Sequence, residues 1–226
     1  MKICIGWDKR EEAACEVAKA SILKHASLPV EIIPISMETL GDLYKRPTST
    51  KDGKLWDDIS GAPMSTSHAI ARFFVPYLCG YQGWALFIDG DVLIRRDIAD
   101  LFTWADPKAA VQVVKQLYVP RGVQKKAGDS QLQYRRKNWS SVVLWNCGHP
   151  ANQALTPEVV NSQRGLWLHE FAWVNDSEVG ELPGTWNTLI EDPALVHFTE
   201  GLPDIKPGQP YSDEWWEVFK SALQSK

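Results

Sequence analysis

Residues 83–102 read GWALFIDGDVLIRRDIADLF, and this stretch decides the fold. Trp84 to Ile88 is an unbroken apolar run, the pattern of a strand buried on both faces in a parallel sheet. It runs straight into Asp89-Gly90-Asp91. In extended backbone, residues i and i+2 point to the same side, so the two carboxylates are expected to converge at the strand's carboxyl end. Open α/β sheets bind ligands at that edge. Two like charges so close are tolerable mainly when a cation sits between them. Hard oxygen ligands of this kind suit Mg²⁺ or Mn²⁺, which commonly completes its shell with phosphate oxygens. Gly90 lets the backbone bend there without a Cβ. The plainer reading of the same triplet is an Asp-Gly turn between two strands.

Working outward, Lys2 to Gly6 predicts a short buried strand, Glu11 to His25 a helix with Ala14, Val17, Ala18, Ile22 and Leu23 inward, and Pro29 to Ile35 a second strand. A strand–helix–strand opening implies a parallel βαβ unit. Residues 41–64, rich in Gly, Pro, Ser, Thr and Asp, read as a long loop. Ser65 or Thr66 is expected to cap a helix running to about Leu78. Val92 to Ile94 leads from the acidic triplet toward a short helix, and further strands are expected at Ala110–Val114 and Ser141–Trp145. Helices are expected at Asp97–Phe102, after Pro157, and at Ser212–Leu223, where Trp215, Trp216, Phe219 and Leu223 form the apolar stripe. Residues 120–137 are basic and read as a surface loop. Tyr134 and Trp139 offer stacking faces there for an anionic acceptor or nucleic acid.

The 226 residues suit one α/β domain with a sizeable core. A net charge of −4 argues against broad nucleic-acid binding, which leaves a basic footprint. No apolar run approaches a membrane span, and the N-terminal run is too short for a secretory signal, so a cytoplasmic protein is expected. Cys4, Cys15, Cys79 and Cys147 form no C-x-x-C pair and read as reduced, buried thiols. The 11 tryptophans fit core filling better than ring stacking. A P-loop and a dinucleotide fingerprint are both missing, as is G-x-S-x-G. The run from Asp89 to Asp100 lacks the glycine and glutamate of a calcium loop, with Ile94 at the sixth place.

The chain resembles the GT-A type glycosyltransferases, specifically the glycogenin and lipopolysaccharide galactosyltransferase-like group in a bacterial or phage-type form. The resemblance lies in the order of KICIGWD (2–8), ASILKHASLPVEIIPI (20–35), STSHAIARFFVPYL (65–78), residues 83–102, WSSVVLWNCGH (139–149), ELPGTWN (181–187) and LVHFTEGLPD (195–204). It implies a single GT-A, Rossmann-like α/β domain over 1–226, with a mostly parallel central sheet flanked by helices. Residues 1–105 would be the nucleotide-sugar and metal half. Residues 106–226 would be the acceptor half, with the C-terminal helix. It further implies transfer of a sugar from a UDP-sugar, with retention of configuration, helped by Mn²⁺ or Mg²⁺. Asp89, Asp91 and His197 match the family's metal ligands. Gly6, Trp7 and Asp8 match the segment that seats the base. Arg72, Gly90, Ser140, Gly201 and Lys206 match donor-side positions, and Asn187 matches the Asn after Trp. Glu170 matches a catalytic-side acid. Ser140-Ser141-Val142 stands where the family often has Asn-Ala-Gly, and Phe171 where it has an amide.

The acceptor stays open among a glycan, a lipid-linked saccharide, a protein and a modified nucleic-acid base. Two other readings compete. A nucleotidyltransferase also uses carboxylates and Mg²⁺ on an α/β sheet, but the place of its Gly-rich loop reads GWDKREEA (6–13). The other is a non-catalytic module binding a sugar or a partner.

Overall fold

The apolar runs of the sequence become the strands of one sheet. The computed structural model describes residues 1–116, 136, 138–188 and 192–224. The strands are β1 (Lys2–Gly6), β2 (Glu31–Ile35), β3 (Thr48–Lys51), β4 (Lys54–Asp57), β5 (Ala62–Pro63), β6 (Trp84–Ile88), β7 (Val92–Ile94), β8 (Val111–Val113), β9 (Val142–Asn146), β10 (Val179–Glu181) and β11 (Leu195–His197). The α-helices are α1 (Glu12–His25), α2 (Met37–Leu40), α3 (Val75–Leu78), α4 (Ala99–Phe102), α5 (Pro157–Ser162), α6 (Gly165–His169) and α7 (Ser212–Gln224).

The central sheet has the order β10-β8-β9-β6-β1-β2. β1 pairs in parallel with both β2 and β6, and β10 pairs in parallel with β8. Only β9 runs against its neighbours β6 and β8. This is a single α/β domain with a mainly parallel sheet flanked by helices. β1–α1–β2 is the expected parallel unit. β6 lies between β9 and β1, so Leu86, Phe87 and Ile88 are fully buried and Asp89 emerges at the sheet's carboxyl edge.

α1 rests on this sheet through Ala18 and Ile22, whereas Leu23 stands largely in solvent. α7 packs on α1, and Trp215 lies fully buried in a cluster with Ala14, Val17, Leu93, Val196 and Phe198. Leu223, expected in that stripe, is exposed. Trp145, Trp167 and Trp173 form an aromatic cluster with Phe73 and Phe171 on the other face of the sheet. Much of the tryptophan is therefore core. The four cysteines are free and buried. Among the described residues no helix is long and apolar enough to cross a membrane.

Two expectations are corrected. Residues 41–64 are not a plain loop: β3, β4 and β5 make an antiparallel three-stranded sheet. Turn residues dominate its composition, but Asp52-Gly53 supplies the tight hairpin, with φ of 51° and 73°. Residues 65–78 are not one helix. They form turns, a 3₁₀ segment at Ala71–Phe74 and then α3. Pro76 cannot donate to the Arg72 carbonyl, and its ring would clash there, so the turn tightens and Val75 donates to that carbonyl instead. Thr66 does not cap, since its buried hydroxyl has no partner. The basic loop at 120–137, Tyr134 included, lies outside the described residues except for Arg136. That residue pairs with Asp176 and sits over the Trp139 ring.

The small sheet is tied down by a buried ion pair. Arg46 donates to both Asp57 oxygens at 2.7 and 2.6 Å, and its third arm donates to the Val160 carbonyl of α5 at 2.9 Å. Burial alone would raise the Asp57 pKa, but the guanidinium hydrogen bonds outweigh it and hold the carboxyl below its ordinary value. Arg46→Ala strands that carboxylate and should cost about 3–5 kcal/mol, read by urea unfolding. The contribution of Asp57 should be complete above about pH 3.9, the ordinary carboxylate value, and should fade as pH drops further.

Candidate metal centre

Asp89 leaves β6 with its N–H bonded to the Ser141 carbonyl at 2.9 Å, which fixes where its side chain starts. Gly90 follows in a space that admits no side chain. A Cβ there would meet the Gly6 carbonyl oxygen at 2.4 Å and Cys15 Sγ at 2.7 Å. The ends of β1 and β6 therefore touch through glycine.

Asp91 begins the turn into β7, and β7 pairs antiparallel with β11. In that register His197 faces Val92, and the Phe198 N–H donates to the Asp91 carbonyl at 3.0 Å. The histidine is thus set beside the acidic pair by a backbone ladder. His197 Nε2 lies 3.1 Å from Asp91 Oδ1 and 3.9 Å from Asp89 Oδ2. One ligand atom from each of the three residues falls within 4.8 Å of the others.

The surroundings determine which atoms are available. His197 Nδ1 lies 2.7 Å from Asn187 Oδ1, an acceptor, so Nδ1 carries the proton and Nε2 faces the acids. Burial works to lower the His197 pKa, but Asp91 outweighs it, and the imidazole sits above its ordinary value. Asp89 is the opposite case. Burial would raise its pKa, yet the Arg72 guanidinium and His68 hold the carboxyl well below the carboxylate range. Arg72 Nη2 lies 2.9 Å from Asp89 Oδ1, Nη1 donates to the Ser140 carbonyl at 2.7 Å, and Nε donates to the Ala69 carbonyl at 3.1 Å. Two carboxylates and one imidazole in this spacing are a donor set that fits a hard divalent cation and does not favour a soft one. The group can hold a metal.

The structure brings Asp89, Gly90, Asp91, Arg72, His197 and Asn187 into one contact network with Gly6, and Ser140 joins it through Arg72. Ser140 Oγ in turn lies 2.8 Å from His169 Nδ1. Burial, then Arg72, pushes His169 down to about 3, so this imidazole is neutral. Glu170 follows His169 at the end of α6, and its carbonyl accepts from Arg136. Trp7 donates its N–H to the Ile35 carbonyl, which fixes the end of β1. Asp8 is committed to scaffold: Arg10 N and Nε donate to Oδ1, and Arg10 Nη2 and Ser67 N donate to Oδ2. Gly201, at φ 119°, follows β11 by four residues. Lys206 does not point into the network but pairs with Glu200 on the surface at 2.6 Å.

Sequence reasoning missed three side chains here: His68, His169 and Glu11. Glu11 is raised by burial and then by the charge of Asp91. His68 was signalled only by its place four residues before Arg72.

No known family model matches the chain. Protein CDI of Arabidopsis thaliana is 40% identical over 227 residues, covering 95% of this chain and 84% of that protein. Among solved structures the chain is similar to LgtC, a galactosyltransferase in complex with donor and acceptor sugar analogues. The TM-score is 0.63 at 14% identity, over 98% of this chain and 96% of that one. It is also similar to WbbM, a bifunctional glycosyltransferase, at TM-score 0.64 and 14% identity over 97% of this chain. GlyE of Streptococcus pneumoniae TIGR4 gives 0.60 at 14% identity over 99% of this chain. The chain spans about half of the WbbM chain (49%) and 62% of the GlyE chain. At this identity the likeness establishes a shared GT-A fold.

Gly90→Ala should force apart the ends of β1 and β6 and cost about 1–3 kcal/mol, seen as a lower melting temperature.

Proposed function

The chain belongs to the family of Protein CDI, and on that premise we propose that it is a metal-dependent glycosyltransferase of the glycogenin and lipopolysaccharide galactosyltransferase-like type. The observation that carries the reading is the convergence of Asp89, Asp91 and His197 at the carboxyl edge of a GT-A sheet. We assign the donor as a UDP-sugar and the cation as Mn²⁺ or Mg²⁺. Residues 1–105 supply most of the nucleotide-sugar and metal half, and 106–226 the acceptor half. The acceptor belongs to the classes named above, and the setting is cytoplasmic.

The chemical difficulty is departure of a diphosphate while positive charge grows on the anomeric carbon. When bound, the cation supplies charge neutralisation at the leaving oxygens. Asp89, Asp91 and His197 hold it, and Asn187 keeps the His197 proton on Nδ1 so that Nε2 is free to ligate. Arg72 keeps Asp89 ionised and links it to the Ser140 strand on the donor side. Gly6, Trp7 and Gly90 are assigned to the donor side from the family resemblance. Gly201 and, once released from Glu200, Lys206 complete the phosphate side. Glu170 is assigned as the acid on the donor-sugar face, and the chain mainly positions an acceptor hydroxyl against the anomeric carbon. Retention of configuration is assigned from the family resemblance.

Thermal melting with UDP and Mn²⁺, singly and together, tests the reading. At about 100 times Kd, UDP with Mn²⁺ should stabilise the protein by ~2.7 kcal/mol, roughly 5–11 °C for a chain of this size. UDP alone should do much less, and Asp91→Ala should remove the difference. Equal stabilisation of Asp91→Ala with and without metal would refute the clamp. A panel of UDP-sugars should give slow UDP release with one of them; release from none would point to a binding module.

A further inference from the structure

We propose that His68 is a positioning residue that, together with Arg72, pins one oxygen of Asp89 and so turns the other toward the cation. The inference deepens the metal-dependent reading and rests on it. His68 is 2% exposed and belongs to no helix or strand. Its Nε2 lies 3.2 Å from Asp89 Oδ1, the same oxygen that Arg72 Nη2 reaches at 2.9 Å. Asp89 Oδ2 is thereby left facing His197. With one contact the carboxylate can exchange its two oxygens by rotation. With two contacts on Oδ1, the rotation breaks both.

The imidazole is placed by its surroundings. Ser67 N donates to Asp8, and Ser67 Oγ donates to the Trp7 carbonyl at 2.9 Å. The Met37 N–H donates to the Ser67 carbonyl at 3.1 Å. The backbone before His68 is therefore clamped to the end of β1. The ring then lies on Gly6: a Cβ there would fall 2.5 Å from His68 Cδ2 and 2.8 Å from Nε2. Gly6 is glycine because the ring occupies the space of a side chain. The other ring nitrogen, Nδ1, is buried and has no hydrogen-bond partner among the described residues. A bare lone pair is cheaper to leave unpaired than an N–H, so the proton sits on Nε2, the ring nitrogen nearer Asp89.

The test is Mn²⁺ titration followed by electron paramagnetic resonance of the free ion, with and without UDP. Wild type is compared with His68→Gln, His68→Asn, His68→Ala, Gly6→Ala and Asp91→Ala. The Gln amide reaches the position of Nε2, and the Asn amide reaches only Nδ1. We expect His68→Asn and His68→Ala to weaken Mn²⁺ binding about 10–100-fold, the usual effect of removing a partner of a metal ligand. His68→Gln should restore most of it. Gly6→Ala should mimic the loss without touching a ligand. If His68→Ala does not fold, the contrast between Gln and Asn decides. Equal affinity in His68→Gln and His68→Asn, or wild-type affinity in His68→Asn while Asp91→Ala binds nothing, overturns the inference and leaves the metal reading standing. A wild-type protein that binds no Mn²⁺ removes both.

Discussion

Two carboxylates at the tip of one buried strand repel each other, and the local structure is organised around holding them there. Asp89 is balanced by Arg72 and His68 from the side of the 65–78 segment. Asp91 is balanced by His197 from the side of β11. Each balancing group is itself held: Arg72 by two backbone carbonyls, His197 by Asn187, and His68 by the clamp on β1. The two acids and the Nε2 face of His197 leave between them a space where a divalent ion would relieve the repulsion of the carboxylates.

The same constraint accounts for the glycines. Gly90 and Gly6 are not loops for flexibility. They let two strand ends and an imidazole share a volume in which any Cβ would collide. The acidic tip of β6 is thereby packed directly on the end of β1.

What could be read from the sequence was whatever has a local period. The buried strands β1, β6 and β9 follow from unbroken apolar runs, and the β1–α1–β2 unit from the switch of period between them. Asp89 and Asp91 were visible because a strand's alternation places them on one side. His197 came only through the order of motifs, since nothing local in Val196-His197-Phe198 separates a ligand from a core histidine. The antiparallel ladder of β7 and β11 that decides the matter is a pairing across the chain. His68 and His169 escaped for the same reason: their meaning lies in partners from other elements. The β3–β5 sheet is hidden by a composition that is that of turns, and the break in 65–78 by an apolar spacing that continues across Pro76.

The β7–β11 ladder also sets an order on assembly. The acids lie early in the chain and their imidazole about a hundred residues later, so pairing β11 with β7 closes a long loop at an entropic cost. A nascent or partly unfolded chain presents its acidic tip without the third ligand. The three side chains come together only when β11 is paired with β7, so the group that could hold a cation is a property of the closed fold and of no single segment.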